Sequence, residues 1–473
     1  MDSRMSLRAK VLILIGTAAA VQLLVEGPAA AHVKWFSDFD FRDPPLSFTE
    51  ILDTGFWIGL TVAVAVIGVL PAIDRWLDTH AIYVRVNDWL HERRSVSDPI
   101  LRYLVAASLI LAWGSEALLV PELAEPAGWV GWLQLGLAIL LLIGRWNRIA
   151  GAGVLLLWLV GVFEYGALHM LDYLTYVGIA GFLALRTSDE AETRGLALPL
   201  LYATVGVSLI WAGFEKLVYP EWSFTVLDTR PILRLGLPAD VFLELAAFVE
   251  ISLGFLLIIG LLGRPLALVI TGVFMTSTII FGRVEVIGHT PLHAALIVFL
   301  LQGAGSVYPA PIAIHRNLRL RMAFAAVNMA VLTLAAGVIY TAAARSQFET
   351  AVAEQGPRPA PIEAGDTTPV VTSVQLTDTP AGTDITLDIA GFALTEPATV
   401  PGAEATADDP TTGYGILSID GDVVARITGR QSPAWDDISG QTAILTLFTT
   451  NGRQLFEDGT PLRIRVDMED QGG

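Results

Sequence analysis

Ser108-Leu109-Ile110-Leu111-Ala112-Trp113-Gly114-Ser115-Glu116 runs on to Pro121-Glu122, and Ser208-Leu209-Ile210-Trp211-Ala212-Gly213-Phe214-Glu215 runs on to Pro220-Glu221. The first stretch needs one extra residue before its Glu. The likeness continues downstream, where Gln134 stands ten residues before Gly144 and fourteen before Arg148, as Glu250 stands before Gly260 and Arg264. Tyr165-Gly166 then matches Phe281-Gly282 at the same offset. Three ordered coincidences predict a duplicated unit, over 98–186 and 197–304. Repeats fix architecture, and in membrane proteins the contact between repeats is a common place for a binding site.

The rest of the chain says what kind of unit is repeated. The 473 residues are 53% hydrophobic with a mean hydropathy of +0.58, too apolar for an ordinary soluble protein. Apolar runs recur at roughly the 17–25 residues that cross a hydrocarbon core. They predict spans at 51–73, 100–119, 129–146, 149–165, 167–186, 197–218, 241–262, 265–283, 291–304 and 322–343. A further apolar run, 11–25, follows Arg4, Arg8 and Lys10 and ends at Ala29-Ala30-Ala31, the pattern of a signal peptide. An uncleaved first helix is the other reading.

Arginines after the first span (Arg75, Arg85, Arg93, Arg94) and at alternate later connections (Arg145, Arg148; Arg186, Arg194; Arg264; Arg316, Arg319, Arg321) fall on one side if residues 26–50 lie outside. Each repeat then starts and returns inside, so the two are parallel, and the tail after 343 lies outside. The loop 74–98 sets Trp76, Tyr83, Val86 and Trp89 among basic residues, which suits a helix on the inner membrane surface as well as a plain loop.

No cysteine is present, which excludes disulfides and thiolate metal sites. The net charge is −18, and the tail from Arg345 holds 20 acidic against 7 basic residues. Such an exterior disfavours nucleic acid as a partner. The composition of 345–369 predicts a linker, with Pro357, Pro359 and Pro361. Beyond 370 the period changes to strand alternation, as in Asp384-Ile385-Thr386-Leu387-Asp388-Ile389. Ile416–Ile419, Val423–Ala425, Ala443–Phe448 and Leu462–Val466 complete the pattern of a β-sandwich. The fold class expected is a polytopic α-helical membrane protein of about ten helices after a signal peptide, with a C-terminal all-β sandwich over 370–473.

Ionisable residues inside spans are costly and are default functional candidates. Glu250 sits inside an apolar helix, and Lys216 is its obvious partner; with Glu215 they suit a polar headgroup such as a quinone carbonyl. Charge pairing for helix packing, with Lys216 snorkelling to the interface, explains them equally well. His289 and His293 are four apart, the spacing of two ligands on one helical face, with Glu285 nearby. Thr290-Pro291, however, reads as an N-cap and first helical position, which would put His289 before the helix. Cleavage after Ala31 would make His32 the first residue, whose amino group and imidazole suit copper. Solvated interfacial histidines are the bland alternative for all of these. Trp435 reads as a packing residue.

Gly213-Phe214-Glu215-Lys216, then Glu250, Gly254, Leu256-Leu257, Gly260 and Arg264, resemble the DoxX family of four-helix bacterial membrane proteins. The resemblance covers about 197–304. The first repeat fits a degenerate version, with Arg102 retained but Ala117 and Gln134 where the second has Lys216 and Glu250. The family takes its name from a thiosulfate–quinone oxidoreductase subunit, so the resemblance implies a quinone-linked redox setting and supplies no catalytic residue. Gly413-Tyr414-Gly415-Ile416-Leu417-Ser418-Ile419-Asp420-Gly421 resembles a strand of small extracytoplasmic sandwich domains found in metal-handling membrane proteins, but the two histidines of that strand are absent. The leading expectation is quinone-linked redox or metal handling at the outer leaflet, with a quinone or copper as cofactor. The others are an accessory protein that docks a membrane or extracytoplasmic partner through its acidic β-domain, and a transporter.

Overall fold

The computed structural model describes residues 33–35, 39–229, 231–303, 311–358, 362–364, 368–379, 382–395, 410–419, 422–428, 431–433, 442–449, 454–457 and 460–467. The signal-peptide region, His32 and Trp435 lie outside them. The chain divides into two compact units, one helical and one that holds the β-rich tail from Thr350 onward.

The helical unit is built from α1 (Thr54–Leu77), α2 (Ala81–His91), α3 (Ser97–Trp113), α4 (Gly128–Ile143), α5 (Asn147–Tyr165), α6 (Thr175–Leu185), α7 (Ala197–Val218), α8 (Ala239–Ile259), α9 (Gly263–Phe281), α10 (Arg283–Gln302) and α11 (Leu318–Gln355). Among the described residues, seven helices are long and apolar enough to cross a membrane, and α4 and α6 are shorter apolar helices. The faces of α1 and α11 that carry Ile58, Val62 and Val66, and Val327, Val331 and Val338, are exposed. An apolar outer surface is what a hydrocarbon solvent requires. This is a multi-pass helical membrane protein with a β-rich C-terminal region.

The caps of the helices follow from their sequences. Asp53 starts α1 by accepting from the Phe56 amide at 2.8 Å, the usual use of an N-cap carboxylate. Gly144 ends α4 and Gly260 ends α8, both left-handed at φ +69° and +72°, a conformation that costs glycine least. Loop 74–98 is largely helical in α2, with Ile82, Val86 and Trp89 exposed.

Two quartets, α3–α6 without the short turns and α7–α10, pack in corresponding ways. In each, the first helix packs on the second and the third on the fourth, while α6 packs on α7 and α10 packs on α3. Each fourth helix thus lies against the first helix of the other quartet. Arg148 in α5 donates to the Thr187 carbonyl at 2.8 Å, and Arg264 in α9 donates to the Leu300 carbonyl at 2.8 Å. Each arginine therefore ties the start of the third helix to the end of the fourth.

The two serines that opened the sequence reading make the crossed contacts. Ser208 of α7 accepts from the Thr175 amide at 3.0 Å, and Ser108 of α3 donates to the Ile287 carbonyl at 3.0 Å. The second bond explains a departure from expectation. Helix α10 begins at Arg283 and carries Pro291 inside it, so Thr290-Pro291 is not its start. Proline has no N–H for the carbonyl four residues back, which is Ile287, and the Ser108 hydroxyl serves that carbonyl instead. Ser108→Ala should cost about 1–3 kcal/mol, the range for a buried acceptor left unmade. Adding Pro291→Ala to that variant restores an amide donor, and thermal unfolding in detergent should show the double variant recovering most of the loss.

Helix α11 also runs further than the linker reading allowed. It continues to Gln355 and ends at Gly356, φ +79°, just before Pro357. The alanine-rich stretch favours helix, and Arg345 bonds Glu349 one turn on at 2.7 Å.

In the β-rich unit, β1 (Val370–Thr379) pairs antiparallel with β2 (Gly382–Ala390). A second sheet has β3 (Thr412–Ile419) between β4 (Asp422–Ile427) and β5 (Thr442–Thr449), with β6 (Arg463–Asp467) outside β5. Ile385 and Leu387 of the first sheet share one buried cluster with Leu417, Leu445 and Leu447 of the second. The two-layer core is what period-two alternation predicts when one face of each sheet is buried.

Candidate functional site

The polar residues of the helical unit converge near one end of the two quartets. Val33–Trp35 form a single turn whose Lys34 and Trp35 are buried, 4% and 7% exposed. Lys34 bonds the carboxylate of Asp172, which lies between α5 and α6, and pairs with Glu215 of α7 at 2.7 Å. Burial alone disfavours the ammonium, but the carboxylates of Asp172 and Glu215 outweigh it and hold Lys34 charged, above its ordinary range. Trp35 donates to the Tyr173 hydroxyl at 2.9 Å, and Tyr173 donates to Glu122 at 2.5 Å. His169 bonds the same Glu122 oxygen.

Beside this network, Lys216 donates to Glu250 at 2.8 Å, joining α7 to α8. On α10, His289 Nδ1 bonds Glu285 at 2.6 Å, and Ser277 of α9 donates to that carboxylate at 2.9 Å. The His289 ring is set between Trp35 and Phe274, with centroids 5.0 and 4.6 Å away. Gly288 is where Trp35 crosses the helix: a Cβ there would stand 1.8 Å from the indole.

A cavity of about 60 Å³ lies among these groups, lined by Trp35, Asp172, Ser208, Lys216, Glu250 and His289 among others. Its walls come from α6, α7, α8, α9 and α10 together with Trp35 and the Asp172–Tyr173 turn, so both quartets contribute. The volume suits a few water molecules or one polar edge of a larger guest.

Residues 200–283 match the family model described as DoxX. The chain carries a DoxX region. That region takes in α7, α8 and α9 and so contains Glu215, Lys216 and Glu250; the DoxX match stops before Glu285, His289 and His293. No curated protein and no solved structure matches the chain.

The sequence-predicted residues sort as follows. Lys216 and Glu250 are paired as expected. Glu215, grouped with them in the sequence reading, is only 2% exposed and faces Lys34. His289 and His293 do share one helix, because Pro291 is inside α10, but His289 is bonded to Glu285 while the buried His293 Nε2 has no hydrogen-bond partner among the described residues. Among the described residues no group of three or more His, Asp or Glu side chains is placed to hold a metal ion.

Sequence reasoning missed Lys34, Trp35 and Glu122 as members of the site. Glu122 was visible only as a mark of the repeat, in Pro121-Glu122. Lys34 gave no signal, since a lysine just after an apolar leader reads as a solvated loop.

The divergence between the quartets has a structural counterpart. Gln134, in α4, accepts from the Leu119 amide at 3.0 Å and donates to the carbonyls of Ala117 at 3.0 Å and Leu109 at 3.2 Å. Its counterpart Glu250 meets the ammonium of Lys216 instead. A neutral amide that satisfies three backbone groups holds a loop, and a carboxylate–ammonium pair beside a cavity is available to a polar guest.

Proposed function

We propose that the DoxX region binds the head of a quinone-class redox carrier in the cavity between the two quartets, and that the protein serves quinone-linked chemistry at the extracytoplasmic side of the membrane. The observation that carries this reading is the half-buried Lys216–Glu250 pair on the wall of a cavity where aromatic and apolar side chains, Trp35, Tyr176, Leu209 and Phe274 among them, meet a few polar ones, Asp172, Ser208 and His289. An ammonium in such a place donates strongly to a carbonyl oxygen. Such sites commonly combine an apolar lining with a few convergent polar groups. The DoxX match supports the quinone setting by family likeness alone.

The cavity is smaller than a quinone ring, so binding in this reading displaces Trp35 from its place against His289. The alternating arginines of the inner loops support placing the polar end and the β-rich domain outside. Metal handling is the less favoured alternative, because Glu285 and His289 are already bonded to each other within the span.

Titration of a short-chain quinone analogue into the protein in nanodiscs tests the proposal. Saturable binding is expected, weakened about tenfold to a hundredfold by Lys216→Met, the range for a lost charge-assisted hydrogen bond. Trp129, 63% exposed on the outer face of α4, supplies the control: Trp129→Ala should leave binding unchanged. Equal partitioning into all three proteins would contradict the proposal.

A further inference from the structure

The buried network around Lys34 holds more negative charge than its cations cancel. Glu122, Asp172 and Glu215 come from three separate elements, and all three are enclosed: the side chains of Glu122, Asp172 and Glu215 are 3%, 1% and 2% exposed. Among the described residues, Lys34 is the one ammonium they share. If His169 is neutral, two carboxylate charges are left over; if it is charged, one is. Glu250 and Glu285 already have Lys216 and His289 as partners. An uncompensated carboxylate in such a place neutralises itself by taking up a proton.

The geometry distinguishes which carboxylate holds it. One oxygen of Glu122 accepts from both Tyr173 and His169, an arrangement that favours its anion. Asp172 accepts from Lys34 through Oδ2, while its buried Oδ1 has no hydrogen-bond partner among the described residues. Glu122 and Glu215 each have a buried oxygen without a hydrogen-bond partner among the described residues as well, so the cavity is what separates the three: Asp172 lines it, and Glu122 and Glu215 do not. A proton on Oδ1 would turn that orphaned acceptor into a donor at the cavity wall.

We infer that Asp172 is a proton-binding carboxyl serving the cavity, holding a proton near neutral pH and exchanging it with whatever occupies that space. The exchange is a simple transfer: the carboxylate oxygen gains or loses one proton, with no change in oxidation state. Among the described residues the titratable groups around it are Lys34 on the entering segment, Glu122 before α4, His169 and Tyr173 beside Asp172 itself, Glu215 and Lys216 on α7, Glu250 on α8, His289 on α10 and Tyr340 on α11. This rests on the cavity and its charges, not on the identity of a guest.

Infrared spectroscopy of the protein in nanodiscs at about pH 7, with no quinone added, tests it. Labelling with ¹³C-aspartate should shift a protonated-carboxyl band in the unmodified chain. Asp172→Asn should remove that band, and Asp172→Glu should keep a protonated-carboxyl band that no longer responds to the aspartate label. Absence of any label-sensitive band, or its survival in either variant, would overturn the assignment. A band that appears only when Na⁺ is replaced by choline would also overturn it, in favour of a metal cation at the site. Because quinone is absent throughout, failure of quinone binding and failure of this inference are read separately.

Discussion

Gly254→Leu should leave little or no folded helical unit. Helices α7 and α8 approach so closely at Gly206 and Gly254 that a Cβ on Gly254 would stand 2.3 Å from the Gly206 carbonyl oxygen, and one on Gly206 would stand 2.6 Å from the Gly254 oxygen. The obstacle in each case is backbone, which cannot rotate away. Small residues at such crossings let helices pack where apolar attraction between them is no greater than to lipid. A leucine forces the two helices apart, and with them the Lys216–Glu250 pair. We expect a loss above about 3 kcal/mol, at the upper end of overpacking effects, read as loss of a monodisperse species and of a thermal transition in detergent. Gly272→Ala on α9 is the comparison, since a Cβ at Gly272 meets nothing within 4 Å. It should change stability by no more than about 0.5 kcal/mol.

Lys34→Met should be nearly as damaging. Among the described residues it removes the one ammonium that meets Asp172 and Glu215, and with Asp172 protonated it strands the Glu215 carboxylate in a buried place. Breaking a buried ion pair from one side costs about 3–5 kcal/mol, because the stranded charge is the expensive part. Neutralising the other side should therefore recover stability: Lys34→Met with Glu215→Gln should unfold at a higher temperature than Lys34→Met alone. Equal unfolding temperatures for the single and double variants would mean that Lys34 contributes through packing and not through charge.

The sequence carried the helical architecture far, and for a physical reason. Span length and hydropathy report the solvent around a helix, and the placement of Gly144 and Gly260 reports where a helix must stop in a left-handed turn. Such signals are local. The same locality explains what was misread. Pro291 looks like a helix start because its missing donor is a local property, whereas the Ser108 hydroxyl that compensates comes from 179 residues away. The 345–355 stretch reads as a linker from its composition, yet the same alanines extend α11 to Gln355.

The site was half legible. Lys216 and Glu250 stood out because charges inside apolar helices are conspicuous. Lys34 and Glu122 are in polar surroundings in the sequence and become buried only through tertiary packing. Their partners Asp172 and His169 are 138 and 47 residues away, respectively. Charge balance in the network is a property of the assembled fold and has no signature in any one segment.

Photolabelling with an azido-quinone, followed by mass-spectrometric mapping of the modified peptides, tests the central claim most directly. The account predicts label on the peptides that wall the cavity, around Ser208–Lys216, Glu250 and Gly288–Leu292, and competition by unlabelled quinone. Label confined to the lipid-facing residues of α1 and α11, or label that excess quinone does not displace, would contradict it.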